Sequence, residues 1–141
     1  MSSSEINVLV VEDNPTDALM IKWALKEAGL SKEPTVVDDG APALALLQKK
    51  KGYEDHPSPD LVILDLNLKL VDGPEVLSLI RQTADLRSIC VAILSSSPRD
   101  VMVRQAGQAN GYFTKPNDLE EFKELAPQIM DCYRRSSSKL P

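Results

Sequence analysis

The sequence is short of the residues that build most metal and redox sites. It has one histidine, His56, and two cysteines, Cys90 and Cys132, in 141 residues. The cysteines lack CxxC spacing and the histidine has no metal-ligand partner near it in sequence, so no zinc constellation is written here. Both thiols are expected to be reduced in a cytoplasmic protein, and His56 to be a solvated loop residue. No basic run exceeds Lys49-Lys50-Lys51 and the net charge is -5, which argues against a nucleic-acid-binding face. No apolar run approaches the ~18 residues of a membrane span. The N-terminus has neither the basic region nor the apolar stretch of a signal peptide. There is no internal repeat and no sign of a second domain, and this length suits one core.

What is present is a strict alternation. Five short apolar runs rich in β-branched residues follow one another: Ile6–Val11, Pro34–Asp38, Leu61–Leu64, Ile89–Leu94 and Gly111–Thr114. Each is followed by a helical pattern. Asn14-Pro15 starts the first helix as cap and first-turn proline, with an inward stripe at Met20, Ile21, Ala24, Leu25 and Ala28. Asp39-Gly40 turns into a second helix over 41–51, whose closing lysines suit the helix dipole. Asp72-Gly73-Pro74 opens the third, and Ser97-Pro98 repeats the cap-plus-proline start for the fourth, expected over 99–109. That fourth helix has little to bury and should be weakly held. Asp118 caps the last helix, which Pro127 should kink or split. Ser136 to Pro141 looks like a flexible tail, leaving 1–135 as the domain. Runs apolar throughout are strands buried on both faces, as in a parallel sheet. Five strand–helix units then imply a doubly wound α/β fold.

The polar residues fall in one place. Strand one ends in Glu12-Asp13, strand three in Asp65, strand four in Ser95 and strand five in Lys115. In an open parallel sheet the carboxyl edge is where ligands bind. Carboxylates brought together there repel one another and should take up protons or a cation. All-oxygen ligands suit Mg²⁺ better than zinc. An acidic cluster, a hard cation, a lysine and a hydroxyl together describe a phosphoryl site.

These residues carry a resemblance. Val-Glu-Asp ending strand one, Leu64-Asp65-Leu66-Asn67-Leu68 with Asp72-Gly73, Leu94-Ser95-Ser96-Ser97, and Lys115-Pro116 resemble the receiver domain of two-component response regulators over roughly residues 6–129. The resemblance implies the flavodoxin-like (βα)5 sheet with strand order 2-1-3-4-5. It implies that Asp65 is the phosphoacceptor, and that Asp13, Asp65 and the backbone carbonyl of Asn67 hold Mg²⁺ (or Mn²⁺), with Glu12 acting through water. Lys115 and Ser95 would bond the phosphoryl oxygens, Ser95 and Tyr112 would form the switch pair, and Lys115-Pro116 would be a cis peptide. A sensor histidine kinase is the implied partner. The 51–59 loop and the phrase around Asp65 are similar to small regulators that pair with bacterial phytochrome-type kinases. With no output domain following, the chain would act through protein contacts or as a phosphate carrier, and a homodimer through helix four, strand five and the last helix is compatible with its apolar residues, as is ordinary packing. Lys69 departs from the family, which usually has proline there. An aspartyl phosphohydrolase is the competing class, but it needs a second acid two residues past the nucleophile, where this chain has Asn67. An unphosphorylated binding module is the other.

Overall fold

Burial on both faces dictates the architecture. The computed structural model describes residues 5–138 and places five strands in one parallel sheet, in the order β2-β1-β3-β4-β5. The strands are β1 (Val8–Val11), β2 (Thr35–Val37), β3 (Leu61–Leu64), β4 (Cys90–Ser95) and β5 (Gly111–Thr114). The helices between and after them are α1 (Pro15–Glu27), α2 (Gly40–Leu47), α3 (Gly73–Gln82), α4 (Arg99–Gln105) and α5 (Leu119–Ser138). Every residue of β1, β3 and β4 is buried, which is why these segments read as apolar runs, with Ser95 at the exit of β4 the one polar member.

Alternate strand residues feed two separate cores. Leu9, Val11, Val62, Leu64, Val91 and Ile93 pack with α2 and α3 and with Met102 of α4. Val8, Val10, Leu61, Ile63, Ala92 and Leu94 pack on the opposite face with α1 and α5, around Ile21, Leu25, Phe122 and Ile129. The parallel register pairs Val11 with Leu64 and Leu64 with Ile93, and Ser95 with Thr114. The next residues along these strands, Glu12, Asp65 and Lys115, therefore leave the sheet at one edge.

Local signals placed most helix starts. Asn14 accepts from the Asp17 N–H and Pro15 occupies the first turn of α1. Asp39 and Asp72 cap α2 and α3, and the Asp118 side chain accepts from Glu121 N–H at 2.9 Å. Four expectations are corrected. First, α2 ends at Leu47, and Lys49 and Lys51 lie beyond it with φ of 57° and 54°, so they form a turn rather than a helix end. Second, α4 is only seven residues long, is capped by Pro98 without a side-chain bond, and buries Met102 alone. Ser97 is not its cap, since the N-cap position falls on Pro98; the Ser97 N–H donates to Ser95 Oγ at 3.3 Å.

Third, α5 runs unbroken through Pro127 to Ser138. Pro127 lies on the exposed face, where water can satisfy the carbonyl that loses its partner. Ala126, Ile129 and Met130 beside it are buried against the sheet, so packing holds the helix across the proline. Part of the expected tail, 136–138, is thus helical, and 139–141 lie outside the described residues. Fourth, His56 is half-buried rather than solvated: its Nε2 lies 3.2 Å from Thr35 Oγ1 and its Nδ1 2.9 Å from the Pro57 carbonyl.

Candidate phosphoryl and metal site

Two strands, β1 and β3, deliver the acidic cluster at the points where they leave the sheet. Glu12, Asp13 and Asp65 each present a carboxylate oxygen within 4.8 Å of the other two. Glu12 and Asp65 are buried, at 3% and 6% exposure, and Asp13 is half-buried. Two buried carboxylates side by side are costly unless a cation or hydrogen bonds offset them. Lys115 supplies the cation. Its Nζ donates to Glu12 Oε1 at 2.8 Å and to Asp65 Oδ2 at 3.0 Å, and lies 3.3 Å from Asp17 Oδ2. Backbone N–H groups do the rest: Asn14 N–H donates to Glu12 Oε2 at 3.1 Å and Asn67 N–H to Asp65 Oδ1 at 3.1 Å. Both oxygens of Asp65 are thereby held.

The electrostatics follow from this packing. Burial pushes the Glu12 carboxyl up from the ordinary 4.5 to about 7; bonds from Lys115 and the Asn14 N–H oppose the rise, and the nearby Asp65 charge adds to it. Burial works against the Lys115 charge, yet its bonds to Glu12 and Asp65 outweigh this and hold the ammonium above its usual range. The lysine is therefore a permanent cation at the sheet edge.

Ser95 completes the edge. It is fully buried, and its Oγ accepts from Ser97 N–H at 3.3 Å and from Asn67 Nδ2 at 3.4 Å. Lys115 N–H donates to the Ser95 carbonyl at 2.8 Å, tying the β4 and β5 exits together. Tyr112 is half-buried and packs against the core on the α2–α3 face. Its hydroxyl donates to the Ala106 carbonyl at 2.6 Å and accepts from Ala109 N–H at 3.3 Å. Arg99 of α4 lies 5.6 Å from the centre of its ring. Tyr112 thus bridges β5 to the segment after α4. The Lys115–Pro116 peptide, expected to be cis, is trans, since no cis bond occurs among the described residues. Trans is the lower-energy isomer of most X–Pro bonds, and the lysine reaches all three carboxylates from it.

Sequence reasoning missed three participants. Asp17 lies one helical turn beyond Asp13, a spacing that could have flagged it. The Asn67 side chain, considered only for its backbone carbonyl, reaches Ser95. Asp39, read as a turn residue, is buried and uses both oxygens on backbone amides. Lys69 N–H and Leu70 N–H donate to its Oδ1, both at 3.0 Å, while Val71 N–H and Ala41 N–H donate to its Oδ2 at 2.9 and 3.2 Å. Burial raises the Asp39 carboxyl, but these bonds together hold it below its ordinary value. Nothing local marks a bond 30 residues long in sequence.

Glycine is required beneath this loop. A Cβ on Gly73 would lie 2.4 Å from the Asp65 carbonyl oxygen, and one on Gly40 would lie 2.1 Å from that of Val71. Only a residue without Cβ permits these approaches.

The donor set settles what the acidic cluster can hold. Three carboxylates without nitrogen or sulfur ligands fit a hard divalent cation. No helix among the described residues is long and apolar enough to cross a membrane.

Comparison with known proteins agrees with this geometry. The response regulator receiver domain family matches residues 8–126. Response regulator Rcp1 of Synechocystis sp. (strain ATCC 27184 / PCC 6803 / Kazusa) is 36% identical over 124 residues, which cover 86% of this chain and 84% of Rcp1. The crystal structure of the phosphorylated cyanobacterial phytochrome response regulator RcpA superposes with a TM-score of 0.86 at 32% identity, covering 97% of this chain and 99% of RcpA. The Mn²⁺-bound form of Rcp1 superposes with a TM-score of 0.80 at 35% identity, covering 88% and 91%. The family match spans all five strands, and the chain belongs to the response regulator receiver domain family, whose members are phosphoacceptor switches of two-component systems.

Proposed function

We propose that Asp65 accepts a phosphoryl group from a phosphohistidine of a sensor kinase in a Mg²⁺-dependent reaction. The observation that carries this reading is the Asp65 carboxylate itself, buried, held at one oxygen by the Asn67 N–H and at the other by Lys115, within the acidic cluster it forms with Glu12 and Asp13. A carboxylate oxygen attacks phosphorus, the O–P bond forms, and the P–N bond to the imidazole breaks with its electron pair going to nitrogen. Lys115 stays protonated throughout and offsets the charge on the transferring group. The Ser95 hydroxyl, buried at the next strand exit, donates its O–H to a phosphoryl oxygen, a donor that its two acceptor bonds from Asn67 and Ser97 leave unused.

The cation would be held by Asp13, Asp65 and the Asn67 carbonyl, with Glu12 through water. It would neutralise negative charge on the phosphoryl oxygens; Mn²⁺ would substitute. The same groups would support loss of the phosphoryl to water.

Phosphorylation then biases α4 and Tyr112. This helix buries one residue and is tied to β5 by the tyrosine hydroxyl and Arg99, so little holds it in a single arrangement. The face formed by α4, β5 and α5 would bind a partner or a second copy of the chain, without nucleic acid. The similarity to RcpA and Rcp1 favours a phytochrome-type kinase as the donor, acting in the cytoplasm.

The test is intact mass after treatment with acetyl phosphate and Mg²⁺. One phosphoryl adduct is expected on the wild-type chain and none on Asp65→Asn. An adduct that survives in Asp65→Asn, or its absence from wild type, overturns the reading. Multiple-turnover release of phosphate from a small phosphomonoester would instead favour a hydrolase.

A further inference from the structure

The loop between β3 and α3 carries Asn67 and the residue where this chain departs from its family, Lys69. Its backbone bonding has a single theme. Asn67 N–H donates to Asp65 Oδ1, Leu68 N–H to Asp72 Oδ1, and the N–H groups of Lys69, Leu70 and Val71 to Asp39. Five consecutive amides thus end on aspartate oxygens. Asp65 and Asp72 belong to the loop and its helix cap. Asp39 alone comes from another segment, the end of β2. Gly40 N–H also donates to the Val71 carbonyl at 3.1 Å, and the lack of a Cβ at Gly40 lets the two segments touch. An open cleft of about 320 Å³ is bounded by Asp13, Asp38, Asp39, Lys69 and Leu70. The clamped loop is therefore a wall beside Asp13 of the acidic cluster.

We infer that Asp39 is a positioning residue for the divalent cation: it fixes the β3–α3 loop so that the Asn67 carbonyl and Asp13 meet the metal in one geometry. The inference rests on the reading of Asp65 as the phosphoacceptor site. Asp39 itself is not a ligand, because each of its oxygens already accepts two amide bonds. The clamp also accounts for Lys69. A proline at 69 would have no N–H to donate to Asp39 Oδ1. In this chain the loop is held by an amide–carboxylate bond at that position, where a proline would restrict the backbone covalently. Residues that orient metal ligands from behind typically change metal affinity by about ten- to a hundredfold when removed.

The experiment is Mn²⁺ titration followed by electron paramagnetic resonance on the full chain, beside the acetyl phosphate mass assay. Asp39→Ala should weaken Mn²⁺ binding about tenfold, with Asp39→Asn between it and wild type because one acceptor oxygen remains. Amides 69–71 should exchange with solvent faster in Asp39→Ala. Lys69→Pro should bind Mn²⁺ more weakly than Lys69→Ala, which keeps the N–H, and this gap should close when Asp39 is replaced by Ala. A folded Asp39→Ala that binds Mn²⁺ within about twofold of wild type overturns the inference, as does a gap that persists without Asp39. If Asp39→Ala does not fold, Asp39→Asn and the two Lys69 variants decide it alone. A wild-type chain that takes neither Mn²⁺ nor a phosphoryl adduct overturns the Asp65 reading together with this one, whereas a wild type that takes both, with Asp39 variants unaffected, overturns the positioning role only.

Discussion

Replacing Lys115 by methionine tests the electrostatic account of the site most directly. Methionine keeps much of the aliphatic stem and removes the ammonium. In the wild-type chain that ammonium is 14% exposed and touches Glu12, Asp65 and Asp17, whose side chains are 2%, 7% and 20% exposed. Its loss leaves Glu12 and Asp65 buried with Asp13 beside them and no cation between. Removing one partner of a buried ion pair costs about 3–5 kcal/mol, and the half-buried Asp13 and Asp17 place this case near the lower bound. For a chain of this size about 3 kcal/mol corresponds to a fall in Tm of about 10 °C. Two features separate this mechanism from a simple packing defect. The loss should shrink toward pH 5, because Glu12 can then take a proton. It should also shrink on adding Mg²⁺, since a cation that binds only the native state stabilises it by mass action and here replaces the missing charge. Thermal unfolding in EDTA and in Mg²⁺, at pH 5 and pH 8, reads all of this. A Tm within about 2 °C of wild type in EDTA at pH 8, less than one kcal/mol at this size, refutes the reasoning. So does a Mg²⁺ stabilisation larger for wild type than for the variant.

Three further outcomes follow from the same structure. The folded pKa of Glu12 lies above its unfolded value, so its contribution to the stability of the metal-free protein is fully present below about 4.5 and is lost as pH rises through about 7; Glu12→Gln should flatten the Tm–pH profile across that window in EDTA. Gly73→Ala places a Cβ against the Asp65 carbonyl and should slow phosphoryl uptake from acetyl phosphate and lower Tm, since backbone must shift to make room; an unaltered uptake rate contradicts the close approach. Tyr112→Phe removes the hydroxyl that serves Ala106 and Ala109, at a cost of about 1 kcal/mol, and should speed amide exchange in 99–109 more than in α5.

The fold was legible because its signals are local. Strands buried on both faces are apolar along nearly their whole length, with only Ser95 at the exit of β4 polar, so β1, β3 and β4 announce themselves. Asn14-Pro15, Asp72 and Asp118 mark helix starts by accepting from amides one to three residues further on. The polar strand ends were legible too, since parallel strands joined by helical crossovers leave the sheet in one direction. Where local signals misled, packing had overruled them. Pro127 should interrupt a helix, yet the buried residues around it carry α5 past it. Ser97-Pro98 reads as a helix start, yet Ser97 is drawn toward Ser95.

By itself, then, the sequence determined the order of elements, the sheet edge at which Glu12, Asp13, Asp65, Ser95 and Lys115 emerge, and the family they belong to. Only the tertiary structure decided what each of those groups touches. Lys115 reaches the carboxylates of Glu12, Asp17 and Asp65, the Asn67 side chain joins Ser95, and Asp39 holds a loop 30 residues further along the chain. Helix caps and buried strands are specified within a few residues, by backbone geometry and hydration. A hydrogen bond between distant segments exists only once both are packed against the same core.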